Sequence, residues 1–223
     1  MKKITVFLLF LFVFNSVAWS YEIDLTKDGQ YQKKVMEMGF SILNSNRIDK
    51  RVVFRFESSK QANAYASSYD KSVIVLRGLM PYIDDDAELA GILCHEIAHQ
   101  MDFYEGPWRR MAMSFNSKKY EEKADKKAVD YMIKSGYDPV ALITALNKFC
   151  GQTDGDFGMS HPMTSKRLAY IYEYIYQKYP AYLADNSYKN NLYYQNFLLT
   201  SRKDREKIKN KNLINVSNKH QKD

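Results

Sequence analysis

Apolar positions change period once along the chain, from a mixed pattern to a helical one. Between Asp28 and Asn46, apolar residues stand at Val35, Met36, Met38, Phe40, Ile42 and Leu43, a spacing that predicts a helix ended by the polar run Asn44 to Asn46. Arg51 to Glu57 (RVVFRFE) is short, rich in β-branched and aromatic residues and partly alternating, so it predicts a strand. Asn63 to Ala66 and Ser72 to Leu76 (SVIVL) predict two more, separated by the polar turn SSYDK. After Pro81 the pattern turns helical. Asp84 to Asp86 supply a cap and first-turn negative charge, and Glu88 follows Asp85 at the capping-box distance. The stripe Ala87, Ala90, Gly91, Cys94, Ala98 carries this helix to about Phe103, and Gly91 within it predicts close packing at that turn, since glycine is otherwise a poor helix former. Gly106-Pro107 closes the segment.

A second long helix is expected from Ser117 to Lys134, stopped by Ser135-Gly136, and a third over VALITALNKF, closed by Cys150-Gly151. Gly151 to Ser160 (GQTDGDFGMS) predicts a mobile loop, and a last helix follows Pro162 with Leu168, Ile171, Tyr172 and Ile175 on its apolar side. Beyond Pro180 the chain is rich in tyrosine and asparagine, and beyond Ser201 a disordered or marginally helical tail is expected. This order gives an α+β fold, mostly helical with a small N-terminal mixed sheet.

Composition refines the picture. At 223 residues, 45% hydrophobic and 26% charged, the chain supports one substantial core. Lys2 and Lys3 precede an apolar run from Ile4 to Phe14, and Ala18-Trp19-Ser20 offers small residues where a signal peptidase cuts, so residues 1–20 predict a secretory signal. Residues 21–180 then form the domain and 181–223 a basic, Asn/Lys-rich extension. No later run is apolar for long enough to span a bilayer. The formal charge of +7 is densest near Lys203, Arg205, Lys207, Lys209 and Lys211, which allows weak peripheral contact with an anionic envelope or membrane. Nothing resembles a nucleic-acid module, so nucleic acid is not expected as a partner. Two cysteines, Cys94 and Cys150, leave two readings open in an exported protein: one bridge, or two buried thiols, the second favoured by the place of Cys94 in an apolar helix.

The chemistry centres on LCHEIAHQ, Leu93 to Gln100. Residues four apart share a helix face, so His95 and His99 can present two imidazoles to one ion, with Glu96 turned toward a water on that ion. Cys94 points about 100° around the helix from His95 and is not read as a ligand. On the next helix Glu121 offers a third ligand, with Asp125 one turn along to hold the second nitrogen of a ligating imidazole. Two histidines, one glutamate and an open position describe a catalytic zinc, whereas a closed cysteine-rich set would describe a structural one. His161, just past the glycine-rich loop, and Arg167 beyond it complete the candidates. His220, in the polar tail, has no such context.

Five segments in order, Asn63-Ala64-Tyr65-Ala66, VIVLRGLM, DDDAELAGILCHEIAHQ, YEEKAD and SHPMTSKR, resemble the M48 family of zinc metallopeptidases, the group that contains HtpX, Ste24 and periplasmic quality-control proteases. The resemblance implies a zincin-like domain with its metal site between two central helices and one Zn2+ per chain. It implies His95, His99 and Glu121 as ligands, Glu96 as catalytic glutamate and Asp125 as the residue orienting a ligand. His161 would stabilise the transition state or occupy the open metal position at rest, and Arg167 matches a later arginine that would donate toward the oxyanion. Val73, Ile74 and Val75 would form the edge strand beside the substrate, with Asn63 and Ala64 near the cleft. Relatives usually carry a Pro-Gly-Gly turn where this chain has Ser67-Ser68-Tyr69-Asp70, and the multispan region of HtpX and Ste24 has no counterpart here. The expected activity is endopeptidase cleavage of extended or misfolded envelope polypeptides in the periplasm. The alternative is a non-proteolytic, zinc-holding, chaperone-like or assembly factor.

Overall fold

The structure, a computed structural model, describes residues 27–149 and 165–220. The expected signal segment, Cys150, the glycine-rich loop and His161 lie outside the described residues. The elements in order are α1 (Lys27–Ser45), β1 (Val53–Glu57), β2 (Ala64–Ser67), β3 (Ser72–Leu76), a 3-10 turn (Arg77–Tyr82), α2 (Asp86–Tyr104), α3 (Pro107–Phe115), α4 (Ser117–Lys134), α5 (Val140–Phe149), α6 (Ser165–Lys178), α7 (Ala181–Ala184), α8 (Leu192–Thr200) and α9 (Arg202–His220). The domain is mostly helical with a small mixed sheet at its N-terminal end.

Helix α1 buries Val35, Met38, Ile42 and Leu43, one face at three- and four-residue intervals, and lays that face on β1. The sheet order is β1-β3-β2, with β1 parallel and β2 antiparallel to β3. Every residue of β3 is buried, and its main chain is paired on both sides, Val73 with Phe54 and with Ala66. This corrects the expectation that Val73, Ile74 and Val75 form an edge strand. A continuous apolar run without alternation belongs to a strand covered on both faces. The edge nearest the histidine motif is β2.

Helix α2 is buried on almost all sides, between the β2–β3 hairpin, α4 and α5. Its start follows the capping-box expectation in part. The Asp85 carboxylate accepts from the Glu88 amide at 2.9 Å, whereas the Glu88 carboxylate accepts from the amide of Asp84, one residue before the cap. The Glu88 carboxylate also meets the buried Lys148 ammonium of α5 at 2.6 Å, so two charges removed from water satisfy each other. At Gly91 an added Cβ would stand 3.3 Å from the Leu142 Cα of α5, the close approach that its sequence position predicts. Cys94 is a free, buried thiol, and burial alone pushes its pKa far up.

Two parts of the chain add to expectation. Gly106-Pro107 closes the segment as expected, since α2 stops at Tyr104, and it also starts a further helix, α3: Gly106 turns the chain at φ +100°, and Pro107 occupies the first turn, where its missing N–H costs nothing. After Pro180 the chain returns to the body. Tyr188, Tyr194 and Phe197 join the core, α8 packs on α5, and the tail takes the helical one of its two expected forms, α9, which packs on α6. Among the described residues no helix is long and apolar enough to cross a membrane.

Candidate metal centre

Two helices build the site. His95 and His99 lie one turn apart on α2, and α4 runs against α2 so that Glu121 and Asp125, also one turn apart, face them. Asn116 caps α4, its side chain accepting from the Lys119 amide, which fixes the helix start at Ser117, one turn before Glu121. The pairing of α2 with α4 has its own charged fastening. Asp102, buried on α2, accepts from Lys123 at 2.7 Å and Lys127 at 3.2 Å, both on α4. Burial alone would raise the Asp102 pKa, but the hydrogen bond from Lys123 and the charge of Lys127 outweigh it and hold the carboxyl below the usual range. Gln100, also buried, ties α2 to the hairpin: with its amide oriented to satisfy both groups, it donates to the Ser67 carbonyl at 3.0 Å and the Ser72 carbonyl at 3.3 Å.

The ligand atoms converge. His95 Nε2 and His99 Nε2 stand 3.0 Å apart, His95 Nε2 is 3.3 Å from Glu121 Oε2, and His99 Nε2 is 3.2 Å from Glu121 Oε1. Donors bound at about 2 Å and tetrahedral angles around one ion lie roughly 3.3 Å from each other. The set of two imidazoles and one carboxylate therefore fits a single Zn2+ in size and in chemistry, and these three are buried together.

Asp125 contacts the other nitrogen of His95, Oδ1 to Nδ1 at 3.0 Å, which leaves Nε2 for the metal. Burial works against a charged His95, but hydrogen bonds to Asp125 and Glu121 outweigh it and raise the pKa to about 9. For His99, burial dominates and the pKa falls. Arg167, on α6, donates from Nε and Nη2 to both oxygens of Asp125, at 2.6 and 2.8 Å, and its Nη1 stands 2.8 Å from Glu121 Oε2. Burial would raise the Asp125 pKa, but this guanidinium and His95 hold it low. Arg167 is buried among these groups, its Nη2 also 3.3 Å from His95 Nε2, and its contacts with Asp125 and Glu121 hold both carboxylates in place.

The open side of the site is a cleft of about 420 Å³. Its floor includes Glu96, His99 and Glu121. One wall is the β2 edge with Tyr65 and Ala66, and the opposite wall is α3 with Arg110, Met113 and Ser114. Of the expected substrate-binding residues, Ala64 lies on the edge strand and Asn63 immediately before it, while Val73 to Val75 sit one strand farther in. Sequence reasoning missed Gln100, Asp102 and the α3 wall. The first two carried a legible signal, polar residues inside a helix whose neighbours are apolar, with Lys123 and Lys127 one turn apart as partners for Asp102.

No curated protein matches the chain with significant similarity. The model of peptidase family M48 matches residues 26–102 and 108–175, which include both ligand helices, the three strands and the segments on which the sequence resemblance rests. With a buried His-His-Glu cluster of zinc-binding size at the heart of that match, the chain belongs to peptidase family M48 and is a zinc metallopeptidase.

Proposed function

We propose that the protein is an exported endopeptidase that hydrolyses extended or misfolded polypeptides of the cell envelope. The observation that carries this reading is the cleft: a buried catalytic-type ligand set opens onto a groove whose one wall is the edge of a β-sheet. An extended chain laid along β2 would gain main-chain hydrogen bonds that depend little on its side chains, which suits unfolded substrates. His95, His99 and Glu121 would hold Zn2+, which would supply Lewis acidity toward a peptide carbonyl and a water near neutral pH.

The remaining steps belong to the chain itself. Glu96 lies on the cleft floor beside His99, where its carboxylate takes the proton of the attacking water and delivers it to the leaving amine. Asp125 keeps His95 in the tautomer whose Nε2 faces the metal position, and Arg167 keeps Asp125 ionised and aligned. The backbone of Asn63 and Ala64 leads the substrate into the groove. His161 is assigned the oxyanion or the resting metal position by the family resemblance alone, and His161→Ala separates the two: a fall in rate supports the first, a rise the second. The basic α9 offers weak peripheral contact with the envelope.

Changing Glu96 to Gln removes the proton acceptor with little change of shape. Casein cleavage should fall by roughly 100-fold or more, while elemental analysis still finds about one zinc per chain. Unchanged cleavage in this variant would sink the mechanism in which Glu96 is the proton acceptor, and no cleavage by the unmodified, zinc-loaded protein would favour a zinc-holding assembly factor.

A further inference from the structure

The two arginines of α3 have opposite surroundings. Arg109 is spent within the protein: its Nη2 pairs with Glu105, its Nη1 donates to the Tyr120 hydroxyl at 3.2 Å, and the guanidinium lies over the Tyr120 ring. Arg110, the next residue, has no hydrogen-bond or ion-pair partner for its guanidinium among the described residues, and it lines the cleft. It is partly buried, and it is the one Lys or Arg among the described lining residues. Ser114, whose hydroxyl donates to the Arg110 carbonyl at 3.3 Å, and Ser117 at the start of α4 also line the cleft. The two carboxylates on the floor do not answer it: Glu121 is engaged by Arg167 and both histidines, and neither it nor Glu96 forms an ion pair with Arg110.

A guanidinium in a partly desolvated groove, with no ion-pair partner among the described residues, is matched by a carboxylate, which it can grip through two parallel N–H···O bonds. We infer that Arg110 is a substrate-selecting residue whose ligand is a carboxylate of the bound polypeptide. This rests on the peptidase reading in that the cleft is taken to hold a peptide. Two sources share the chemistry, an Asp or Glu side chain beside the scissile bond and the free C-terminus of the substrate. Arg110 stands on the wall opposite β2, so it meets the side chains or the end of a strand-bound peptide while β2 meets its backbone.

The test uses the full chain carrying Glu96→Gln, loaded with Zn2+ so that peptides bind without turnover, and reads fluorescence anisotropy with short labelled peptides. One peptide has a central Glu, one a central Gln and one a central Lys, each with a free or an amidated C-terminus. The carboxylate form should bind roughly fivefold more tightly, the size expected for a partly exposed charged pair. A preference for Glu over Gln that persists on amidation assigns the side chain, and tighter binding of the free than of the amidated peptide whatever its central residue assigns the chain end. Adding Arg110→Gln should erase the preference, and adding Arg110→Glu should turn it toward the Lys peptide. Zinc content and circular dichroism of these variants report that the fold is intact. Equal binding of all peptides, or a preference that survives Arg110→Gln, overturns the inference. If the unmodified protein cleaves nothing but the Arg110-dependent preference remains, the peptidase reading falls and the carboxylate site stands.

Discussion

Helices α2 and α3 follow one another across Glu105 and Gly106 and face the same cleft, yet they are built in opposite ways. Helix α2 is enclosed, with Leu89, Ile92, Leu93 and Ile97 inaccessible to solvent, and it carries the metal ligands. Helix α3 has no buried residue and leaves Trp108 and Phe115 78% and 84% exposed. Metal ligands must hold their geometry to a fraction of an ångström, which requires packing from several sides. A wall that meets varied substrates has no such requirement, and α3 is kept in place by its two junctions and by Arg109. The lesson is that one cleft joins a rigid, over-determined face to a lightly fastened one, and local stability should differ accordingly.

The sharpest way to break this contrast is at the ligand set. Glu121→Ala removes one of three donors, and both zinc content and peptide hydrolysis should be lost. Full zinc retention would place the third ligand elsewhere.

Next in size is the fastening between the ligand helices. Asp102→Ala leaves Lys123 and Lys127 without their shared partner and should destabilise the fold by about 3 kcal/mol, read by urea denaturation, with some of that offset because both lysines reach solvent. The pH dependence has a fixed sign. The native pKa of Asp102 is depressed, so its contribution is present above the ordinary carboxylate pKa of about 4 and is lost as the pH falls through the lower native value. The unmodified protein should therefore lose stability in acid below about pH 4, and the Asp102→Ala protein should lose less over the same range.

Packing gives a smaller effect. Gly91→Val forces methyl groups toward the Leu142 backbone and should cost about 2 kcal/mol in the same denaturation measurement. Smallest of all is Phe115→Ser on α3, which should change stability by no more than about 0.5 kcal/mol, because the ring is already in water. A Phe115→Ser protein as damaged as the Gly91→Val protein would show that α3 is as tightly held as α2.

Much of the architecture was legible from period and punctuation alone. The starts and stops of α1, α4 and α5 and the three strands follow local rules of apolar spacing, caps and glycine stops. The ligand pair was legible for the same reason, since residues four apart on a helix share a face wherever the helix lies. Helix α3 was missed although Trp108, Met111 and Phe115 recur at three- and four-residue intervals, because the segment is short and its apolar face stays exposed instead of joining the core. Composition alone did not place the tyrosine-rich segment after Pro180, where Tyr188, Tyr194 and Phe197 join the core and α8 lies against α5.

By itself, then, the sequence determined the histidine–glutamate motif, the α4 carboxylates able to complete it, and the family, because these depend on residue identity and on spacing within single helices. Tertiary structure alone decided that β3 is the central strand and β2 the edge, that Asp125 meets His95, and that Arg167 meets both Asp125 and Glu121. It also decided that Arg109 is paired while Arg110 faces the cleft. The physical reason is common to all of these. Strand order, the choice of hydrogen-bond partner and the direction of a guanidinium are settled by contacts between elements far apart in the chain, and local periodicity carries no record of them.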